Sequence, residues 1–305
     1  KHFKIIRYKN LMLEKYQKTL SKPIEIRGNG LHTGKISSIK ILPAEADQGI
    51  VFKRIDLNKN NTIKADYRNV SSAKLCTTLE NQFGAKVSTV EHLLAALYIS
   101  GIDNAIIHID NEEVPILDGS AIIFIKEIKK QNLKELSNKR KYLRILRKIE
   151  LVDDERKISI EKGNSSLDVH FNLNYKNKII GKQKNKINFQ NDDLDKVICS
   201  RTFCLFEDIE KIRKLGLAKG GSLENALVVD QDKILNKGGL RNEKEFVNHK
   251  ILDLAGDFLL SGHRILGNVK CYQGGHELTN KFLRKLLNIK SAFEHVEVKE
   301  SVISE

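Results

Sequence analysis

The chain has 305 residues, 40% of them hydrophobic and 30% charged, which is too apolar for a disordered protein and long enough for two domains with cores of their own. Its formal net charge of +14 comes from lysines spread along the whole chain rather than gathered in one stripe. The charge therefore fits an anionic small substrate or an anionic membrane surface as well as a nucleic acid, and alone it decides nothing.

No long uncharged apolar run is present, so no membrane span is expected. Residues 1–10 are basic and lack both the apolar core and the small-residue cleavage site of a signal peptide. The single methionine is Met12, and the residues before it read as an upstream extension or a trimmed start. Cys76, Cys199, Cys204 and Cys271 make no CxxC pair and no disulfide framework, so they read as reduced thiols of a cytoplasmic protein.

Residues 22–57 alternate apolar and polar around a turn at Gly30-Leu31-His32-Thr33-Gly34, which predicts strands near 24–28, 36–42 and 50–55. Ser88-Thr89-Val90-Glu91 ahead of an apolar run reads as a capping box opening a helix that stops at Gly101. A strand over 104–110, a turn over 114–120 and an amphipathic helix over 121–130 follow. The polar, weakly periodic segment 131–141 reads as a linker between a first domain, 12–130, and a second, 142–305. Beyond it the pattern restarts with strands over 142–151, 157–161 and 167–175. Then come a helix over 206–215, a strand over 226–230, a helix over 246–258, a strand over 267–272 and a helix over 278–289. Strands followed by helices, twice over, predict an α+β fold of two similar halves.

Within 246–258, Val247, Ile251, Leu254 and Phe258 recur at helical spacing and face a core. His249, Asp253 and Asp257 fall four residues apart on another face. Two aspartates one turn apart repel unless something positive lies nearby, and a cation held by His249 and Asp253 relieves that. The plainer reading is a solvated polar face with a histidine–aspartate pair. His92 is the third candidate ligand. Two histidines and one carboxylate leave a position free for water, as catalytic zinc requires, and the same set suits Fe(II). Glu91, next to His92, is either a base for that water or the helix-capping glutamate. His276 follows two glycines and is either structural or a group held over a ligand, with Asp257 placed to keep it protonated.

Taken in order, Gly30-Leu31-His32-Thr33-Gly34, Ser88-Thr89-Val90-Glu91-His92-Leu93, Pro115-Ile116-Leu117-Asp118-Gly119-Ser120, Arg201-Thr202-Phe203, Gly220-Gly221-Ser222, His249-Lys250-Ile251-Leu252-Asp253 and Gly275-His276 resemble the UDP-3-O-acyl-N-acetylglucosamine deacetylase family. Each motif is short, but the ordered set is specific and runs from near Met12 almost to the C-terminus. The resemblance implies a zinc enzyme of lipid A synthesis, with two domains whose helices are sandwiched between their two sheets. It implies metal held by His92, His249 and Asp253. It makes Glu91 the general base, His276 (oriented by Asp257) the cationic acid, and Thr202 a donor to the oxyanion. It places Lys250, Phe203, Leu31 and Cys76 against the substrate and Tyr175 on the uracil. It puts Lys157, or Arg156 if the alignment slips by one, on the diphosphate. An acyl tunnel is implied over an insert near 206–228, with Ile209, Ala218, Leu223 and Ala226 in its wall, residues that equally suit an ordinary core. Where the family carries a basic residue before Gly275-His276, this chain has Gln273. The partners expected are the UDP-linked acylated amino sugar and, at its periphery, the inner membrane, with the protein a monomer and no nucleic acid bound.

Two other functions compete. A hydrolase with the same machinery acting on a different amide differs only in the tunnel and the uridine pocket. A basic nucleic-acid-binding module predicts salt-dependent RNA or DNA binding, yet no RNP-like, zinc-finger or helix-turn-helix pattern is present. A non-catalytic relative is disfavoured because every metal and acid–base position is filled.

Overall fold

Alternation of buried and exposed residues builds the first large sheet. In Ile24–Asn29 the isoleucines at 24 and 26 point inward, and in Ile36–Pro43 the inward set is Ser37, Ile39 and Ile41, the period of two that a half-buried strand requires. These strands pair antiparallel, and the sheet continues through Ala105–Ile109, Ile50–Arg54 and Thr62–Lys64. The computed structural model describes residues 13–163 and 166–298, so the reading of the chain ahead of Met12 falls outside the described residues.

The second large sheet has seven strands with Arg264–Tyr272 at its centre. That strand pairs with Arg156–Lys162 on one side and with Tyr142–Ile145 and Leu167–Asn174 in parallel. Its edges are Ile149–Asp153, Phe293–Val296 and Lys182–Asn188. Smaller sheets complete an α+β fold of 20 strands and six α-helices among the described residues. The helices are α1 (Glu91–Ile99), α2 (Ile122–Lys129), α3 (Asp195–Ile198), α4 (Phe206–Lys214), α5 (Glu245–Leu259) and α6 (His276–Asn288). None of them is long and apolar enough to cross a membrane.

Two helices are interior. Every residue of α5 except Lys250 is buried, and every residue of α1 except Ile99, as expected of helices covered on all sides. They pack directly on each other. The closeness depends on Gly256: a Cβ there would come 2.1 Å from the carbonyl oxygen of Glu91, and backbone cannot yield. Helix α5 rests on Leu167–Asn174, Lys182–Asn188 and Arg264–Tyr272, and α6 on Ile149–Asp153 and Arg156–Lys162.

Three expectations change. The segment read as a linker carries a strand, Leu133–Lys139, paired antiparallel with Tyr16–Leu20. Residues 142–151 form two strands, not one, and these occupy separate places in the sheet. The capping box is absent: Val90 is the N-cap of α1 with no side-chain cap bond, Ser88 Oγ donates to Glu112 O, and Glu91 accepts from Thr77 N. Thr89, held at φ +56°, turns the chain out of helical geometry before the helix begins, so Ser88 cannot cap it.

Candidate active site

Helix α5 supplies three of the polar groups, one per turn, from its buried face: His249, Asp253 and Asp257. Helix α1 supplies Glu91 and His92 in its first turn, and His276 is the first residue of α6 after the N-cap Gly275. The strand–loop before α1 is fixed by Glu113, a buried carboxylate that accepts from His32 N, Thr33 N, Thr33 Oγ1 and Thr89 Oγ1. That network holds the Gly30–Gly34 turn and the start of α1 together.

His92, His249 and Asp253 each offer one donor atom, and these atoms lie within 4.8 Å of one another. Asp253 Oδ1 is 3.2 Å from His249 Nε2 and 3.4 Å from His92 Nε2. It is buried and accepts no hydrogen bond. His249 Nδ1 meets the carbonyl of Ser200 at 3.1 Å, which makes Nδ1 the protonated nitrogen and leaves Nε2 as a bare donor atom. Burial pushes His249 down to about 3, against the pull of Asp253, so its ring is neutral. Burial opposes the charge on Asp253, but His249 and Lys250 beside it hold the carboxyl well below its usual range. Lys250 Nζ donates to Asp253 Oδ2 at 3.0 Å. An unsatisfied buried carboxylate oxygen between two imidazole nitrogens is a donor set that fits a divalent cation.

Beside this set stand a buried imidazole and two buried carboxylates. His276 Nε2 is 3.6 Å from Glu91 Oε1, and His276 Nδ1 is 2.7 Å from Asp257 Oδ2. Burial, and the positive end of α6, disfavour a cation at His276, yet the carboxylates of Asp257 and Glu91 hold it up at about 10. Burial raises Glu91 above the ordinary glutamate range, against the pull of His276 and His92. Thr77 ties the two carboxylates together: its N–H donates to Glu91 Oε2 at 3.0 Å and its Oγ1 to Asp257 Oδ1 at 2.7 Å.

All of this opens into a cleft of about 650 Å³. Leu31, Tyr175, Thr202, Phe203 and Lys250 line it. The ring of Phe203 has Tyr175 5.9 Å and Phe246 5.0 Å away between centroids, and Lys250 Nζ 5.4 Å from its own centroid. Ile209, Ala218, Leu223 and Ala226 line the same cleft, Ile209 from α4 itself. Thr202 is pinned by backbone bonds to Gly119 and Leu227, and Arg201 by a buried ion pair to Glu245 at 2.8 Å.

Two expected residues lie elsewhere. Lys157 points away from the cleft and pairs with Glu150 at 3.0 Å, whereas its neighbour Arg156 lines the cleft. Successive strand residues face opposite ways, so a slip of one exchanges the two. Cys76 is not in the lining; it is buried, 3.9 Å from Thr78 Oγ1, and burial pushes its thiol up to about 12. Gln273 is spent on the backbone of Asn174, accepting from its N–H and donating to its carbonyl. Among the lining or supporting residues not anticipated, besides Glu113, two matter most. One is Thr77. The other is His32, which lines the cleft; its Nδ1 accepts from Ala218 N and its Nε2 is buried with no hydrogen-bond partner. The Gly30–Gly34 turn was the available signal for His32, because two glycines around one imidazole mark a close approach of backbone to a ligand.

A buried two-histidine, one-carboxylate donor set, flanked by a carboxylate and an imidazolium at the end of an apolar cleft, belongs to the class of metal-assisted hydrolases. The chain matches the family model of LpxC, UDP-3-O-acyl N-acetylglycosamine deacetylase, over residues 17–288. It belongs to that family. It is 41% identical over 281 residues to the UDP-3-O-acyl-N-acetylglucosamine deacetylase of Nautilia profundicola, covering 92% of this chain and 94% of the relative. Similar proteins of the same name include those of Syntrophotalea carbinolica, 40% identical over 94% of this chain and 92% of the relative, and Pseudoalteromonas translucida, 37% identical over 91% and 92%.

Proposed function

We propose that this chain hydrolyses the N-acetyl group of UDP-3-O-acyl-N-acetylglucosamine, giving UDP-3-O-acyl-glucosamine and acetate, a step of lipid A biosynthesis. The observation that carries the reading is Asp253 Oδ1, a buried acceptor with no hydrogen bond between His92 and His249. These three residues would hold a metal ion, zinc by preference and Fe(II) as the alternative the same donors accept. When bound, the ion would polarise the acetyl carbonyl and lower the pKa of water.

The chain's own groups divide the proton work. Glu91 takes a proton from water as its oxygen attacks the acetyl carbon. Thr202 donates a hydrogen bond to the oxyanion that forms. His276, kept cationic by Asp257, gives its proton to the sugar nitrogen as the C–N bond breaks, so amine and acetate leave with the protons balanced. Lys250, close to Phe203, binds the polar head. Tyr175 stacks on the uracil, and Arg156 takes the diphosphate role first given to Lys157. The part of the cleft lined by Ile209, Ala218, Leu223 and Ala226 takes the acyl chain.

The same reading divides the chain into domains over 12–130 and 142–305 and makes it a cytoplasmic monomer that meets its lipid-bearing substrate at the inner membrane. Four free cysteines support the reducing compartment. The test is acetate release from the full substrate and from the analogue lacking the 3-O-acyl chain. The acylated sugar should be turned over far faster; equal rates would point to a hydrolase of a different amide.

A further inference from the structure

A second cleft, of about 420 Å³, lies away from the acid–base groups, between the loops around Asp47 and Asp66 and the far ends of α5 and α6. Its lining carries six lysine and arginine side chains against three aspartates. The aspartates are already engaged. Asp66 is paired with Arg68 at 2.6 Å. Asp103 serves Arg140 at 2.7 Å and Arg264 at 3.4 Å. Asp47 accepts from the amides of Gln17 and Asn138. Lys64, Lys141 and Lys290 remain: none makes an ion pair within 4 Å among the described residues, although Lys64 lies near enough to Asp66 and Lys141 to Asp47 to help lower those carboxyls, and Lys290 Nζ stands 6.0 Å over the Phe293 ring. They reach the cleft from three separate parts of the chain, which local sequence bias toward lysine does not explain.

The walls fit a charged guest. His263 and His295 meet edge to face at 4.6 Å, and burial together with His295 and Lys141 pushes His263 down to about 4. Its ring is therefore neutral and able to donate one hydrogen bond. The carbonyl ends of α5 and α6 reach the cleft through Leu259 and Leu287. Their partial negative charges, about half a unit each, oppose an anion but are outweighed by three full lysine charges. We propose that this cleft binds a small multivalent anion of the phosphate class. Ammonium groups act as point charges that a polyphosphate can meet from several sides at once.

The experiment is calorimetric titration of the full chain with inorganic pyrophosphate at constant ionic strength. Three proteins are compared: the parent, Lys64→Gln/Lys290→Gln, and Arg156→Gln, which removes the cation given the diphosphate role in the other cleft. Both lysines of the double variant are exposed, so the fold is retained. The expected result is saturable binding, weakened at least about tenfold in the double variant and retained in Arg156→Gln. Absence of saturable heat would overturn the proposal. So would binding that the double variant leaves intact: if Arg156→Gln removes it the anion sits in the other cleft, and if neither variant weakens it the anion sits at neither place.

Discussion

The Nε2 of His276 lies 3.6 Å from Oε1 of Glu91, and both residues are buried and line the cleft. The pair places a proton acceptor and a proton donor within reach of one substrate atom. Their environments push them toward complementary forms: burial raises Glu91, while Asp257 and Glu91 outweigh burial at His276 and hold it at about 10.

The pH profile follows. In the proposed mechanism, turnover needs Glu91 ionised and His276 protonated. Because the raised Glu91 pKa delays ionisation, the rate should climb on the acid side at a pH above the ordinary glutamate value of 4.5. It should fall as the pH approaches about 10 and His276 loses its proton. Glu91→Gln should lower kcat by about 10²–10⁴ and erase the acid limb while keeping the metal content. An acid limb that persists in this variant would place the base elsewhere.

Thr77 is a positioning residue. Its Oγ1 bond to Asp257 can be removed without touching its N–H bond to Glu91. Thr77→Val leaves Asp257 with more negative charge to share with His276, so the basic limb should move up. kcat should fall about tenfold, the equivalent of roughly 1.4 kcal/mol, with KM unchanged. Thr77→Ser should restore both. A variant with lower kcat, an unmoved basic limb and no rescue by serine would show only structural damage.

Gly256 sets the distance between α1 and α5. In Gly256→Ala the new Cβ meets Glu91 O and, at 3.0 Å, Ala95 N. The helices must part, which costs about 1–3 kcal/mol, and Glu91 and His92 move with α1. Urea unfolding should show a lower midpoint with the same m-value, and activity should fall in the protein that remains folded. Unchanged midpoint and activity would mean that α1 has room to move.

What could be read from the chain alone divides by range. His249 and Asp253 were legible because helical spacing puts them on one face, and His92 and Glu91 because they open a helix next to an apolar run. Thr77 was not: its bond to Asp257 spans 180 positions, and nothing in Cys76-Thr77-Thr78 points there. The strand Leu133–Lys139 was hidden because only Leu136 of its seven residues is buried and its partner lies at the other end of the first half. Lys182–Asn188 was hidden for a similar reason, an edge strand whose outward positions are lysines. Arg156 and Lys157 could not be told apart because one residue of register exchanges the faces of a strand.

The most direct measurement is acetate release from UDP-3-O-acyl-N-acetylglucosamine by the protein as isolated, after chelation, and after zinc is returned. Activity should vanish with the metal and return with it, with His249→Ala inactive and metal-poor throughout. Full turnover by protein shown to be metal-free would contradict the role given to His92, His249 and Asp253.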